Sequence, residues 1–246
     1  TSNPPAPLPP VVEVDMNLVP TGVFAAGWVL TGIIILSCLG LGGWVAKHRN
    51  KQVVRAAQPL FFGMLLVGTI LMAASTIPMG FQEPATSQRS LNIACMATPY
   101  LFICGFSTAF SAIFTKAWRI RIVVQEAINT HHTTGSPSDV LLPFLMLMMT
   151  NVMLLAAWTV ESPLVWTRVP VGTFDAFGRS VESVGQCIGR EDEDGVDLTP
   201  LFASFLALIN IIVLVVAFHQ AYLTRRLPSQ FNEAKRVDTL RGNHSG

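Results

Sequence analysis

The chain is poor in charged residues. Asp, Glu, Lys and Arg make up 13% of its 246 residues, whereas a soluble domain carries about 25%. The formal net charge is only +1, so the chain lacks the basic balance that a nucleic-acid partner requires. Hydrophobic residues, in contrast, are 51% of the sequence. The charged residues are gathered between long uncharged runs, which is the distribution that a lipid bilayer imposes.

Side chains that could carry chemistry are also scarce. The sequence has four cysteines and five histidines, and His131 and His132 are adjacent whereas His219 stands alone. This is not the spacing of a zinc site. No nucleophile with a base, and no paired carboxylates, lie in or beside the uncharged runs; the acidic residues 191–194 are interpreted as a solvated loop. The sequence therefore predicts neither an enzyme nor a bound metal or other cofactor.

Five runs without Asp, Glu, Lys or Arg are long enough to cross a bilayer. They lie between Asp15 and Lys47, Arg55 and Glu83, Arg89 and Lys116, Asp139 and Glu161, and Asp197 and Arg225. Each reaches the ~20 residues that a helix needs to span about 30 Å of hydrocarbon. The runs lack the polar–apolar alternation of membrane barrel strands. We therefore predict an all-α polytopic membrane helix bundle of five spans, rather than core helices of a large soluble protein.

Basic residues in the connecting loops predict the orientation of the spans. They follow the first, third and fifth runs: Lys47, Arg49, Lys51 and Arg55; Lys116, Arg119 and Arg121; Arg225, Arg226, Lys235 and Arg236. Because basic loops face the cytoplasm, we expect an integral protein of the plasma membrane with its N-terminus outside and its C-terminus inside. Residues 1–19, rich in proline, are predicted to be an extended extracellular tether. Residues 20–224 are the predicted five-helix domain, and residues 225–246 a cytoplasmic loop segment with a polar tail.

The cysteines divide into two pairs. Cys95 lies at the outer start of the third run, and Cys187 lies in the long outer segment 161–197. Both are on the oxidising side, which permits a disulfide that would pin this segment onto the third helix; two separate thiols are the alternative. Cys38 and Cys104 fall inside hydrophobic runs and are interpreted as apolar core residues.

A few polar and helix-breaking residues stand inside or beside the spans. Asn151 and Asn210 are predicted to form hydrogen bonds across helices. The prolines at these places are expected to kink or end helices, which neighbouring helices accommodate in a bundle: Pro59, Pro78, Pro99 and Pro163.

The third run carries the most specific pattern. Cys95 stands at its start, and Phe-Thr-Lys-Ala-Trp-Arg, residues 114–119, stands at its end. This resembles the third helix of class C G-protein-coupled receptors, especially the metabotropic GABA receptors, which begin this helix with Cys and end it with Phe-x-Lys-x-Trp-Arg. Three further segments are similar to the family in the same order: the first cytoplasmic loop in residues 48–59, Trp158 with Ser162-Pro163-Leu164 closing helix four, and the third cytoplasmic loop in residues 227–235.

The resemblance implies a receptor transmembrane domain that relays an extracellular signal to a heterotrimeric G protein, as a homo- or heterodimer surrounded by membrane lipid. It also implies an ionic lock at the cytoplasmic rim, where Lys116 and Glu233 match positions that hold helices three and six together in the resting receptor. The alternative for Lys116 is a cation that snorkels at a helix C-terminus. The candidates that face the G protein, or else anionic lipid, are Arg119, Arg121, Arg225, Arg226 and Lys235.

The sequence also departs from the family. It ends at Gly246, where a sixth helix is expected, so we expect helices one to five of seven, without the large outer ligand-binding domain, and no signalling by this chain alone. One alternative is a non-signalling partner that dimerises with full-length subunits, for which Gly40, Gly42 and Gly43 would permit close helix packing. Another is a small transporter or channel. Such proteins usually carry ionisable residues within their spans, whereas these spans contain none apart from His219 near an inner end. The sequence indicates neither the agonist nor the G-protein subtype.

Overall fold

The computed structural model describes residues 15–51, 54, 59–128, 138–174, 180–190 and 195–225. Within these ranges the chain forms five long helices and one β-hairpin: α1 (Thr21–Lys47), α2 (Pro59–Ala74), α3 (Gln88–Ile128), α4 (Ser138–Glu161), β1 (Leu164–Phe174), β2 (Ser180–Gly189) and α5 (Thr199–Arg225). A single 3₁₀ turn, Pro78–Gly80, follows α2. Each of the five helices contains a stretch long and apolar enough to cross a membrane, so the prediction of five spans is confirmed.

The third helix is at the centre of the bundle. It packs against α2, α4, α5 and β1, whereas α1 packs mainly against α2. In the apolar window of α3, 33% of the residues are buried, compared with 11% in that of α1. The outward side chains of the other spans are apolar and exposed, as expected for helices whose outer surface meets lipid. The arrangement places α3 where it can respond to movement of several neighbours.

Three prolines mark the boundaries of helices. Pro59 begins α2, Pro78 begins the 3₁₀ turn, and Pro163 lies two residues after Glu161, the last residue of α4. At the first position of a helix the missing N–H has no intrahelical partner to lose. The prediction that these prolines stand at helix ends is confirmed. Pro99 instead lies inside α3, where surrounding helices can compensate for the absent hydrogen bond.

Two glycines allow α2 and α3 to approach closely. A Cβ atom on Gly68 would lie 2.7 Å from the carbonyl oxygen of Gly105, and a Cβ atom on Gly105 would lie 2.8 Å from the carbonyl oxygen of Gly68. Neither position can hold a side chain unless the backbones separate. The small residues therefore set the distance between these two helices, as in other membrane helix pairs.

The third helix is longer than the sequence analysis predicted. It has 41 residues and continues to Ile128, whereas the family pattern ends the helix near Arg119. The basic residues Lys116, Arg119 and Arg121, which were expected to mark a cytoplasmic loop, lie on the helix itself. Residues 117–128 contain no proline or glycine, and they include apolar residues spaced three or four apart. Nothing in this stretch therefore stops a helix once it has left the apolar run.

The long outer segment folds as an antiparallel hairpin. The strands pair from Leu164 opposite Gly189 to Val171 opposite Glu182, with an irregularity after Val171. Residues 161–197 were expected to form a long loop, and these strands were not predicted from the sequence. The acidic residues 191–194 lie outside the described residues. The hairpin covers one end of the mostly helical fold, and this end is called the outer face below, after the predicted orientation.

The described end of the predicted tether is attached to this hairpin. The Asp15 N–H donates to the Val181 carbonyl oxygen at 2.8 Å, and the Ser183 N–H donates to the Asp15 carbonyl oxygen at 2.9 Å. Asp15 thus pairs with Glu182 in a parallel bridge. Only residues 15–19 of the predicted tether are described, and at Asp15 the segment is bound to the hairpin.

Candidate functional site

The hairpin is covalently attached to the outer end of α3. Cys95 on α3 and Cys187 on β2 form a disulfide, with their Cα atoms 5.6 Å apart and a sequence separation of 92. Cys95 is 4% exposed and belongs to a buried apolar cluster with Leu155, Trp158, Leu164 and Leu206. The expected link between the outer segment and the third helix is therefore present.

Hydrogen bonds attach β1 along the same face of α3. Gln88 Nε2 donates to the Trp166 carbonyl oxygen at 2.6 Å, and the Trp166 N–H donates to Asn92 Oδ1 at 2.9 Å. One turn further, the Leu164 N–H lies 3.1 Å from Met96 Sδ. Residues 88, 92 and 96 are four apart and so face the same direction. The hairpin therefore lies along the first turns of α3 and is held there by these hydrogen bonds in addition to the disulfide.

Arg168 on β1 joins three parts of the outer face. Its Nε lies 2.7 Å from Glu83 Oε2, in the loop between α2 and α3. Its Nη1 donates to the Met16 carbonyl oxygen at 3.1 Å and to Ser183 Oγ at 3.3 Å. Hydrogen bonds from a charged donor are stronger than neutral ones. No role for Arg168 was predicted from the sequence, because the residues that Arg168 contacts are distant from it in the chain.

Further side-chain contacts hold residues 15–19 against the outer face. The Val19 N–H donates to Gln82 Oε1 at 3.2 Å, and Gln82 Nε2 donates back to the Val19 carbonyl oxygen at 3.4 Å. Asn17 Nδ2 donates to Glu182 Oε2 at 3.4 Å. The segment that leads into α1 is thus in contact both with the hairpin and with the loop that follows α2.

A polar junction connects the end of α4, the end of β2 and the start of α5. Ser162 Oγ lies 3.1 Å from the Arg190 carbonyl oxygen and 3.3 Å from Asp197 Oδ1. The Thr199 N–H donates to the same Asp197 oxygen at 2.8 Å, and this backbone hydrogen bond lowers the pKa of the Asp197 carboxyl group. Gly189 packs directly against the junction, where a Cβ atom has no space. The open end of the hairpin, where β1 begins and β2 ends, is therefore fixed to α4 and α5 as well.

A cavity of about 570 Å³ lies beneath the hairpin. Its walls come from the segment after α2 that contains the 3₁₀ turn, from the first turns of α3, from Trp158 on α4 and from both strands, including Trp166. The Nε1 atoms of these two tryptophans are buried, and neither has a hydrogen-bond partner in the part of the chain that the structure describes. The hairpin thus rests on α3 at its attachment points without filling the space below it.

A polar cluster crosses three helices in the middle of the apolar spans. Asn151 Nδ2 on α4 donates to Ser107 Oγ on α3 at 2.8 Å, and Asn210 Nδ2 on α5 donates to Asn151 Oδ1 at 3.1 Å. All three residues are buried. The prediction that Asn151 and Asn210 form hydrogen bonds across helices is confirmed. Ser107 was not predicted, since a serine in a helix can satisfy its hydroxyl group on its own backbone, as Ser107 also does with Ile103.

The inner-side candidates are only partly within the described residues. Four of them lie on helices: Lys116, Arg119 and Arg121 on α3, and Arg225 as the last residue of α5. The other three lie outside the described residues: Arg226, Glu233 and Lys235. The ionic lock and the surface for a G protein therefore stay predictions. Across the described ranges, no group of three or more His, Cys, Asp or Glu side chains could hold a metal ion.

Comparison with known proteins gives several relatives of one kind. Taste receptor type 1 member 1 of Homo sapiens is 24% identical over 216 residues, which are 85% of this chain and 23% of that protein. The metabotropic glutamate receptor of Drosophila melanogaster is 24% identical over 220 residues, or 89% of this chain and 20% of that protein. Gamma-aminobutyric acid type B receptor subunit 2 of Rattus norvegicus is 24% identical over 98 residues, or 39% and 10%.

The chain spans between about a tenth and a quarter of the length of these relatives. A family model described as the 7 transmembrane sweet-taste receptor of 3 GCPR matches residues 19–237. This match runs from just before α1 to beyond the end of α5 and so includes all five spans. The chain therefore belongs to the class C family of G-protein-coupled receptors.

Proposed function

We propose that the chain is the signal-relaying part of a class C receptor, which passes an extracellular signal through the membrane to a heterotrimeric G protein. The observation that supports this most is the continuous attachment from the outer segment to the central helix. Asp15 is bound to the hairpin, and the hairpin is bound to α3 by the Cys95–Cys187 disulfide. A displacement of the outer segment thus has a direct physical route to α3.

In this proposal the N-terminal side faces the outside of the cell, and the protein resides in the plasma membrane. The basic residues that follow the first, third and fifth spans support this orientation. The disulfide at the opposite end of α3 supports it too, because disulfides persist in an oxidising compartment. Residues 1–19 then lead towards whatever delivers the signal, and residues 225–246 lie in the cytoplasm.

At the inner face we propose an ionic lock between Lys116 and Glu233. The uncharged run of α3 ends at Thr115, which supports a position of Lys116 at the inner rim of the bundle. A carboxylate opposite this position would hold the resting arrangement, and its release would expose a surface for the G protein. The proposed G-protein-facing residues are Arg119, Arg121, Arg225, Arg226 and Lys235, of which the first three lie on described helices.

We further propose that the chain works as a homo- or heterodimer. Two of the relatives are designated subunit 1 and subunit 2 of one receptor type, and the chain is similar to both. On the outward side of α1, a Cβ atom at Gly40 or Gly43 would meet nothing within 4 Å, which leaves space for a closely packed neighbour.

The test begins with the native transcript, read on both sides of the region that encodes the chain. The longest natural reading frame and the present chain are expressed separately, and guanine-nucleotide exchange on a heterotrimeric G protein is measured in isolated membranes. We expect basal exchange from the longest frame, and we expect it to change with Arg168→Gln. Arg190→Gln, which alters an exposed arginine on the same face, serves as the matched control. Association with a full-length receptor subunit without exchange would contradict signalling and indicate a non-signalling partner.

A further inference from the structure

The inner end of α1 carries an exposed cluster of basic residues. Lys47 is the last residue of the helix, and Lys47, Arg49 and Lys51 are all exposed. The one ion pair in the described part of the chain joins Arg168 to Glu83 on the other side of the bundle. The three cations therefore have no described carboxylate within 4 Å to neutralise them, and an anionic partner is the chemistry that fits them.

The side of α1 next to this cluster carries exposed apolar side chains. Leu41 is 52% exposed and Trp44 is 57% exposed, and their spacing of three places both on one face of the helix, directly before Lys47. Tryptophan prefers the depth of the lipid headgroups. Over the six residues from Leu41 to Lys47 the helix rises about 9 Å. An apolar side chain, an aromatic ring and a cation therefore follow one another along the helix axis. This order matches the acyl chain, the glycerol region and the phosphate of a phospholipid.

The tryptophan is held in place by its neighbour. The rings of Trp44 and His48 have their centroids 5.0 Å apart, and His48 Nδ1 lies 2.9 Å from the Trp44 carbonyl oxygen. The chain immediately after the helix is thus tied back to the last turn. This contact keeps Arg49 and Lys51 close to the headgroup level.

The position of α1 favours lipid over a G protein as the partner of these cations. The helix packs mainly against α2 and is at the periphery of the bundle, whereas the candidates for a G-protein surface lie on α3 and α5. A phospholipid lies parallel to a helix that crosses the membrane. If its acyl chains line the exposed face of α1, its headgroup therefore lies beside the inner end of the helix. A cytoplasmic protein that docks on α3 and α5 does not need this rim.

We propose that the inner end of α1 binds a phospholipid whose headgroup carries several phosphate charges, as in the phosphoinositide class. Three cations within five residues match a multiply charged headgroup better than a singly charged one. Lys47, Arg49 and Lys51 contact the phosphates, and Leu41 and Trp44 contact the glycerol and acyl region. The site is separate from the signal relay on the outer face.

The test is lipid retention by the intact chain in nanodiscs. The discs contain phosphatidylcholine with small, equal amounts of phosphatidylserine and phosphatidylinositol bisphosphate, and native mass spectrometry measures which lipids stay bound. The double variant Arg49→Gln/Lys51→Gln removes two charges from the site. Arg89→Gln/Arg190→Gln removes two exposed charges from the opposite face, and Arg49→Lys/Lys51→Arg conserves the charge. Circular dichroism and gel filtration confirm that each variant is folded.

We expect selective retention of the bisphosphate lipid, about tenfold weaker in Arg49→Gln/Lys51→Gln and unchanged in the other two variants. Equal retention of phosphatidylcholine, or an equal loss in both charge-removing variants, would overturn the proposal. Full displacement of the lipid by soluble inositol trisphosphate would also overturn it, because the free headgroup lacks the chains that contact Trp44. Capture of a G protein through Arg49 and Lys51 in discs free of anionic lipid would assign the surface to a protein instead. Nanodiscs expose both faces and need no signalling, so the result is independent of the proposed orientation and function.

Discussion

Arg168 and Glu83 form an ion pair across the outer face, with 2.7 Å between Nε and Oε2. The two side chains are 23% and 28% exposed, so the pair is partly screened by water and contributes about 1 kcal/mol or less. Its importance is its position, because the same guanidinium group also donates to the Met16 carbonyl oxygen. The pair therefore links the segment before α1, the hairpin and the loop after α2 at one point.

Replacement of this arginine is expected to loosen the outer segment. In Arg168→Gln, the amide hydrogens of Asp15 and Ser183, which bond the segment to β2, should exchange with solvent faster. Hydrogen–deuterium exchange with mass spectrometry measures this directly. Arg190→Gln is the control, since its side chain is exposed. Unchanged exchange at Asp15 would show that the backbone pairing is independent of Arg168.

Removal of the disulfide is expected to destabilise the whole outer face. Cys95→Ser, Cys187→Ser and the double variant should each lower the free energy of unfolding by about 2–5 kcal/mol, measured by thermal unfolding in detergent. Cys95→Ser and the double variant should lose more than Cys187→Ser, because a serine at position 95 places a hydroxyl group in the buried apolar cluster. Cys104→Ser, which changes an unpaired thiol, should have little effect. Titration of four free thiols in the unreduced protein would contradict the disulfide.

The buried polar cluster is expected to show coupled energetics. Asn151→Leu or Asn210→Leu alone should lower the free energy of unfolding by about 1 kcal/mol, because each leaves a polar partner without its hydrogen bond. The double variant should lower it by less than the sum of the two. Thr150→Val is a suitable control, since Thr150 bonds only to its own helix at Met146. Strictly additive losses would mean that the two asparagines do not interact.

The close approach of α2 and α3 predicts different effects for two glycines of one helix. Gly68→Ala should destabilise the protein by about 1–3 kcal/mol, because its methyl group would meet the backbone of α3. Gly63→Ala should be neutral or stabilising by up to about 1 kcal/mol, since nothing lies within 4 Å of its Cβ position. Thermal unfolding of both variants in the same detergent compares them. Equal effects would refute the packing of α2 on α3.

The ionic lock predicts a gain of basal activity. In the longest natural reading frame, Lys116→Ala should raise basal nucleotide exchange several-fold, since a change of about 1 kcal/mol in a two-state equilibrium has this effect. The reciprocal pair Lys116→Glu/Glu233→Lys should restore the resting level, whereas Lys116→Glu alone should not. If basal exchange is unchanged by Lys116→Ala, the lysine only snorkels at the end of the span.

The sequence was most informative where the bilayer acts on it. The five spans followed from uncharged runs, because a charge inside the hydrocarbon is expensive and its absence is visible in any single run. Asn151 and Asn210 were predicted to bond for the same reason, since an amide in that environment needs a partner. The length of α3 at its inner end was not predicted, because the charges after Thr115 were interpreted as part of a loop. They mark only the end of its apolar part.

The outer face was harder to predict. The segment from Leu164 to Phe174 is rich in valine, threonine and aromatic residues, which is a strand signal that its position between two spans obscured. Arg168 and Glu83 are 85 residues apart, and no local pattern identifies them as partners. Contacts of this kind depend on how α2, α3 and the hairpin are arranged in space, and a single sequence does not contain that information.

The 41 residues of α3 make a rod of about 62 Å, roughly twice the thickness of the hydrocarbon layer. Its uncharged run ends at Thr115, directly before Lys116, and residues 116–128 add about 20 Å of helix beyond this run. Ser107, held by Asn151, lies almost midway between Gln88 and Ile128. If α3 tilts as a rigid body, the contact of Ser107 with Asn151 lies at the centre of the rotation. A tilt of about 5° about that centre would move each end by about 2.7 Å in opposite directions, so a small shift of the hairpin would reappear at full size on the other side of the membrane.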